Sequence, residues 1–269
     1  LKPHPGLSIS PREYHEQQRQ TLRPSAFARL HLNEFVSSIS SFVSKEQWAA
    51  CYSDNIEGGG KMVMGLDASV RGDYTALVGC VRDAKSGDVH VTYVKTWKPQ
   101  KGALQGGKPT IDLRDVVDEI KRLHEQGRVS AVVYDPFQLH LASLQLEAAG
   151  VNVVEMPQTN ARVASDQALY DAIVAKRIKH YGDPHLDEAI HNAVAVESAR
   201  GLRLSKSKTS KKIDAAVALS MAAYHVASVG IPTHWPEQVM KGSRRTPFDH
   251  PGAMPDRQVV NYGRRWRDF

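Results

Sequence analysis

Hydrophobic and polar positions fall into short blocks with two different periods. Lys61-Met62-Val63-Met64-Gly65-Leu66-Asp67-Ala68-Ser69 is a brief apolar run that ends in an acid. Val70-Arg71-Gly72-Asp73 follows as a turn, and Thr75–Arg82 resumes the apolar pattern. Two strands joined by a tight turn are predicted, with Asp67 at the tip of the first. Ser86-Gly87-Asp88 marks another turn, after which Val89–Trp97 alternates as a third strand. Three strands on short connections predict an antiparallel meander.

Beyond the meander the period changes. Residues 113, 116, 117, 120 and 123 are apolar, the spacing of a helix over Ile111–Gln126, and Gly127 ends it. Val129–Tyr134 reads as a short strand buried on both faces, and it runs into Asp135-Pro136. A helix over Leu139–Ala149, a strand over Val151–Met156, and helices over Ser165–Ile178 and His185–Ser198 follow. Gly201–Leu204 is a short extended piece. The alanine-rich stretch Lys212–Val229 is apolar nearly all round, which predicts a helix buried against the sheet. Strand, crossover helix and strand favour parallel pairing. The expected fold is α/β, a mixed five-stranded sheet flanked by helices.

The ends of the chain read differently. In residues 1–60, prolines 3, 5, 11 and 24 interrupt short apolar patches. Ser44-Lys45-Glu46-Gln47 has the form of a capping box, and Gly58-Gly59-Gly60 marks a flexible joint. Residues 1–60 are expected to be a linker or docking arm, 61–229 the compact domain, and 230–269 a mobile basic tail rich in proline. The first residue is Leu1, which suits an excised fragment or a processed product.

Composition narrows the function. At 269 residues, one large domain with appendages is expected. No apolar run approaches the roughly 20 residues that span a bilayer. Cys51 and Cys80 are too few for a disulfide framework or a structural zinc site, which suits an intracellular setting. The net charge of +6 and the pI of about 9.2 favour a polyanionic partner.

Asp67 and Asp135 each end a strand, and Asp214 stands near the start of the buried helix. If the two strands are parallel neighbours, the carboxylates project side by side, and the helix can bring Asp214 to the same edge. Each acid also has an ordinary reading: a turn former, a strand-to-turn junction, compensation of a helix dipole. Together they form an oxygen-only donor set, suited to Mg²⁺ or Mn²⁺. Two such ions about 3.5–4 Å apart support phosphodiester hydrolysis. Asp73 is an auxiliary ligand or a turn former. Asp166, Asp171, Asp187 and Glu188 read as solvated helix faces. No H-E-x-x-H, C-x-x-C or G-x-S-x-G element occurs.

Gly65-Leu66-Asp67-Ala68-Ser69, Gly72-Asp73-Tyr74-Thr75-Ala76-Leu77, Val132-Val133-Tyr134-Asp135 and Lys212-Ile213-Asp214-Ala215 together resemble the nuclease domain of the large terminase subunit of tailed bacteriophages. The resemblance covers roughly 61–229. It implies a ribonuclease-H-like fold and a metal-dependent endonuclease that cuts concatemeric viral DNA during packaging. Asp67 would bridge two ions, with Asp135 and Asp214 each completing one site. Arg29–Trp48 resembles the segment that joins such a nuclease to its ATPase. A G-x-x-x-x-G-K-S/T loop is absent, so the chain is expected to be the nuclease portion alone. The implied partners are double-stranded DNA, the ATPase domain, the small terminase subunit and the portal, in the host cytoplasm.

Arg200, Arg203, Lys206, Lys208, Lys211 and Lys212 precede Asp214 without an intervening acid and are candidate DNA-phosphate contacts. Lys95, Lys98, Lys101 and Lys108 flank a glycine-rich loop and are further candidates. Two other readings stay open: an actin-like phosphotransferase, which would need a second acid-plus-glycine hairpin not found here, and a non-catalytic DNA-binding docking module.

Overall fold

The computed structural model describes residues 11–21, 27, 31–33, 39–56, 60–68, 74–100, 109–137, 139–157, 159–198, 201–206 and 211–228. In chain order the first elements are α1 (Pro11–Thr21), β1 (Ile39–Ser41), α2 (Lys45–Ala49), β2 (Met62–Asp67), β3 (Thr75–Arg82), β4 (Val89–Trp97) and α3 (Leu113–Glu125). Then come β5 (Val129–Tyr134), α4 (His140–Ala148), β6 (Val153–Glu155), α5 (Asn160–Val174), β7 (Ile178–Lys179), α6 (Pro184–Asn192), β8 (Ala193–Ser198), β9 (Gly201–Lys206) and α7 (Asp214–Ser228).

The main sheet runs β6-β5-β2-β3-β4-β7. β2, β3 and β4 pair antiparallel as a meander, while β5 joins β2 in parallel and β6 joins β5 in parallel. The two-residue β7 adds a sixth strand beside β4. Ile178 was expected at the end of a helix. Instead α5 stops at Val174 and the chain turns through Lys176 at a φ of 57°.

Alternation along the strands sorts side chains into two cores, as a sheet covered on both faces requires. Met62, Met64 and Leu66 of β2 pack with Val116, Ile120 and Leu123 of α3 and Leu146 of α4. Val63, with Val78, Cys80 and Val133, faces the other way, toward α7 and its neighbours. Gly65 shares the parity of Val63. A Cβ at Gly65 would lie 1.9 Å from the carbonyl oxygen of Ala218 and 3.0 Å from the amide nitrogen of Ala222. Only a residue without a side chain lets the α7 backbone settle this close. The alanines of α7 complete the fit, and the helix is buried along nearly its whole length.

Further expectations change. His185–Ser198 is not one helix: α6 ends at Asn192 and Ala193–Ser198 is a strand. Ala193 and Ala195 are buried while Val196 is exposed, a period of two. This strand pairs with β1 and β9 in a separate antiparallel sheet, order β1-β8-β9. Asp166 is not solvated. It is fully buried, accepting from Arg162 Nε at 2.9 Å, Ser220 Oγ at 2.7 Å and Leu204 N at 2.9 Å, and so ties α5, α7 and β9 together.

Residues 39–53, within the segment expected to be an arm, are built into this domain. Phe42, Trp48 and Cys51 belong to the α7-side core. The capping box of α2 forms as expected: Ser44 Oγ accepts from Gln47 N, and Gln47 Oε1 accepts from Ser44 N. Trp48 Nε1 donates to Asp187 at 2.7 Å, so Asp187 too is structural rather than a solvated face residue. The His180 ring stacks on Trp48 with centroids 4.0 Å apart. Its Nε2 lies 3.1 Å from Trp48 O, and its Nδ1 accepts from Gly182 N at 3.2 Å. These partners suit a neutral ring protonated on Nε2.

Gly65→Ala should lower stability by about 3 kcal/mol or more, because two backbones would have to separate. Melting temperature measures this, and an unchanged value would mean that α7 is not seated on Gly65. A second expectation concerns pH. Burial holds His180 and His225 below the usual 6.5. The unfolded chain therefore binds more protons than the native one as pH falls below 6.5, and native stability, full above that value, declines as pH drops through it. Urea midpoints between pH 7.5 and 5.5 should fall, and His180→Gln should flatten that slope. An equal slope in the variant would remove His180 from the account.

Candidate active site

Asp67 is the last residue of β2, opposite Ala76 of β3. Leu66 pairs with Tyr134 in the parallel β2–β5 register, so Asp67 and Asp135 leave two neighbouring strands at the same level. Both continue the parity of Val63 and Val133, whose side chains face α7. Asp214 opens α7, one turn before the Ala218 carbonyl that meets Gly65. The direction of α7 follows from Tyr74, which precedes β3 at the Asp67 edge of the sheet and lines a pocket with Asp214. The sheet and the helix thus bring Asp67, Asp135 and Asp214 to one edge, and each is half-buried.

Local contacts fix the approach of two of these segments. Asp135 Oδ1 accepts from Phe137 N at 3.1 Å, an Asx turn across Pro136. Asn192 Nδ2 donates to Lys212 O at 3.2 Å, which holds the end of α6 to the entry of α7. Val217 N donates to Ile213 O at 3.0 Å, so the helical ladder begins beside Asp214. The positive end of the helix dipole then lies at this carboxylate.

The pocket beside Asp214 is lined by Tyr74, Thr96, His185, Glu188, Ala189, Lys212 and Ala215. His185 and Glu188 of α6 are exposed, as a solvated face requires, and both line this wall. Only tertiary packing carries α6 there, and no spacing in the chain signals it. Tyr74 also went unmarked. The ammonium of Lys98 lies 5.5 Å from its ring centroid and that of Lys212 lies 5.4 Å from it.

Of the six basic candidates, Lys212 lines the pocket and Lys211 is exposed next to it. Arg203 and Lys206 lie on β9 of the second sheet. Arg200, Lys208, Lys101, Lys108, Asp73 and the tail 230–269 fall outside the described residues. Lys95 is paired with Glu119 at 3.0 Å. Among the described residues, no three His, Cys, Asp or Glu side chains are gathered closely enough to hold a metal ion. The donor chemistry suits a hard divalent cation, but the carboxylates share an edge without forming a closed cage. Among the described residues, no helix is long and apolar enough to cross a membrane.

Residues 85–229, just over half of the chain, match the family model of the terminase large subunit, endonuclease domain. The terminase large subunit of Enterobacteria phage HK97 is 28% identical over 222 residues, which cover 74% of this chain and 44% of that protein. The Gene 13 protein of Mycobacterium phage D29 is 27% identical over 221 residues, covering 72% of this chain and 36% of that protein. The crystal structure of the HK97 bacteriophage large terminase superposes with a TM-score of 0.60 at 26% identity, covering 81% of this chain and 52% of that one. The chain therefore spans about half the length of these relatives or less. With its mixed sheet, its flanking helices and this match, the chain has the ribonuclease-H-like fold and belongs to the family of terminase large subunit endonuclease domains.

Proposed function

We propose that this domain is a divalent-metal-dependent endonuclease that cleaves double-stranded DNA, cutting concatemeric viral DNA as part of a packaging terminase. The observation that carries this reading is the parallel β2–β5 register under α7, which sets Asp67, Asp135 and Asp214 at one edge. Asp67, central among the three strands that meet there, would bridge two cations, Mg²⁺ or Mn²⁺, with Asp135 and Asp214 each completing one site. Asp73 stays open in this reading, as an auxiliary donor or a turn former. A cation bound there supplies positive charge to a phosphate oxygen and makes a coordinated water more acidic.

The protein's own groups do the rest. Carboxylates brought to one edge favour a cation among them, and an oxygen-only donor set suits a hard divalent ion. β2 and β5 are buried strands, and their ladder fixes the level at which Asp67 and Asp135 would meet a cation. The half-buried ammonium of Lys212 faces the same pocket and balances the charge of an arriving phosphate. Gripping phosphates rather than bases makes the cut tolerant of sequence. Arg200, Arg203, Lys206, Lys208 and Lys211 would extend the phosphate contacts. In a full terminase this domain would work beside a packaging ATPase, a small subunit and a portal.

A plasmid-nicking assay in Mn²⁺ tests the assignment. Asp67→Asn, Asp135→Asn and Asp214→Asn should each cut at least about 100-fold more slowly, since the cation's several kcal/mol of charge stabilisation are lost. Melting temperatures near the parent's are expected for all three. If Asp135→Asn or Asp214→Asn nicks as fast as the parent, that residue does not hold the cation.

A further inference from the structure

From the contacts of Tyr74 we infer a further DNA-binding element: Tyr74 is an aromatic platform that presents Lys98 and Lys212 to the phosphodiester backbone, beside the acids. The inference rests on the nuclease reading above, and it adds Tyr74 and the link through its ring between Lys98 and Lys212.

Both ammonium groups lie within 5.5 Å of the Tyr74 ring centroid, although their residues are far apart in the chain. Lys98 follows the end of β4, and Lys212 precedes α7. Such contacts between a cation and a ring are weak at exposed sites, so the exposed Lys98 ammonium can turn from the ring to a phosphate. Tyr74 itself is half-buried and forms the pocket wall shared with Lys212 and Asp214. The platform is thus fixed by the fold, while the Lys98 side chain is exposed.

Register sets the direction of the track. Thr75 pairs with Trp97, so Tyr74 and Lys98 leave neighbouring strands at the same edge as Asp67. Along that edge the order is Asp135 from β5, Asp67 from β2, Tyr74 at β3 and Lys98 at β4. Three strand spacings of about 4.8 Å make this roughly 14 Å. Phosphates recur along a DNA strand at a spacing well below that length, so the edge can meet more than one phosphate of the same strand. The lysines grip the strand to one side of the acids and fix which phosphate meets them.

Equilibrium binding of a fluorescent duplex in EDTA, across a range of salt, reads the platform independently of cleavage. Lys98→Gln should reduce the slope of log affinity against log salt by about one. Tyr74→Leu should weaken binding several-fold, while Tyr74→Phe, which keeps the ring, should bind as the parent does. A parental slope in Lys98→Gln overturns the inference, as does a parent that binds DNA without salt dependence. Should Tyr74→Leu fail to fold, Lys98→Gln and Tyr74→Phe still decide. Nicking in Mn²⁺ by the parent is read separately: salt-dependent binding through Lys98 with no nicking supports the platform and removes the nuclease reading.

Discussion

The seat of α7 on Gly65 is the constraint on which the rest depends. A helix can approach a strand this closely only where the strand lacks a Cβ and the helix offers alanines. Ala218 and Ala222 meet Gly65 directly. Because Asp67 lies two residues beyond Gly65 and Asp214 one turn before Ala218, the packing that closes the core also fixes where the two acids emerge. The main core and the candidate site are therefore not separable designs. Loosening the first moves the second.

The parallel pairing of β2 with β5 adds the third acid by a different route. Asp135 needs no contact with α7 to reach the edge, since its level is set by the ladder of Val63–Leu66 against Ala131–Tyr134. Backbone hydrogen bonds fix positions along a strand, whereas side-chain rotamers remain adjustable. An edge of this kind keeps its acids in place along the sheet.

Much of this was legible from residue order alone. β3, β4 and β5 were predicted with the bounds observed, because turn residues bracket runs of the right period. The acids at strand ends, the buried alanine-rich helix and the Ser44 capping box also followed from local pattern. What was missed depends on contacts distant in the chain. Ala193–Ser198 is expected as the end of a helix, and pairing with Ile39–Ser41 and Gly201–Lys206 makes it a strand instead. Asp166 and Asp187 look like surface acids on amphipathic helices until Arg162, Ser220 and Trp48 arrive to satisfy them. That Tyr74 stands beside Lys98 follows only from the β3–β4 register.

The short pairing of Ile39–Ser41 with Val194–Val196 bears on where this domain can be divided. A fragment beginning at the glycines near residue 60 would strip β8 of that neighbour and leave its backbone amides and carbonyls facing water. It would also remove Trp48 from its place against His180, uncovering apolar surface nearby. Bare strand edges next to apolar surface recruit other strands, so such a fragment should self-associate, while one that begins upstream of residue 39 should stay dispersed.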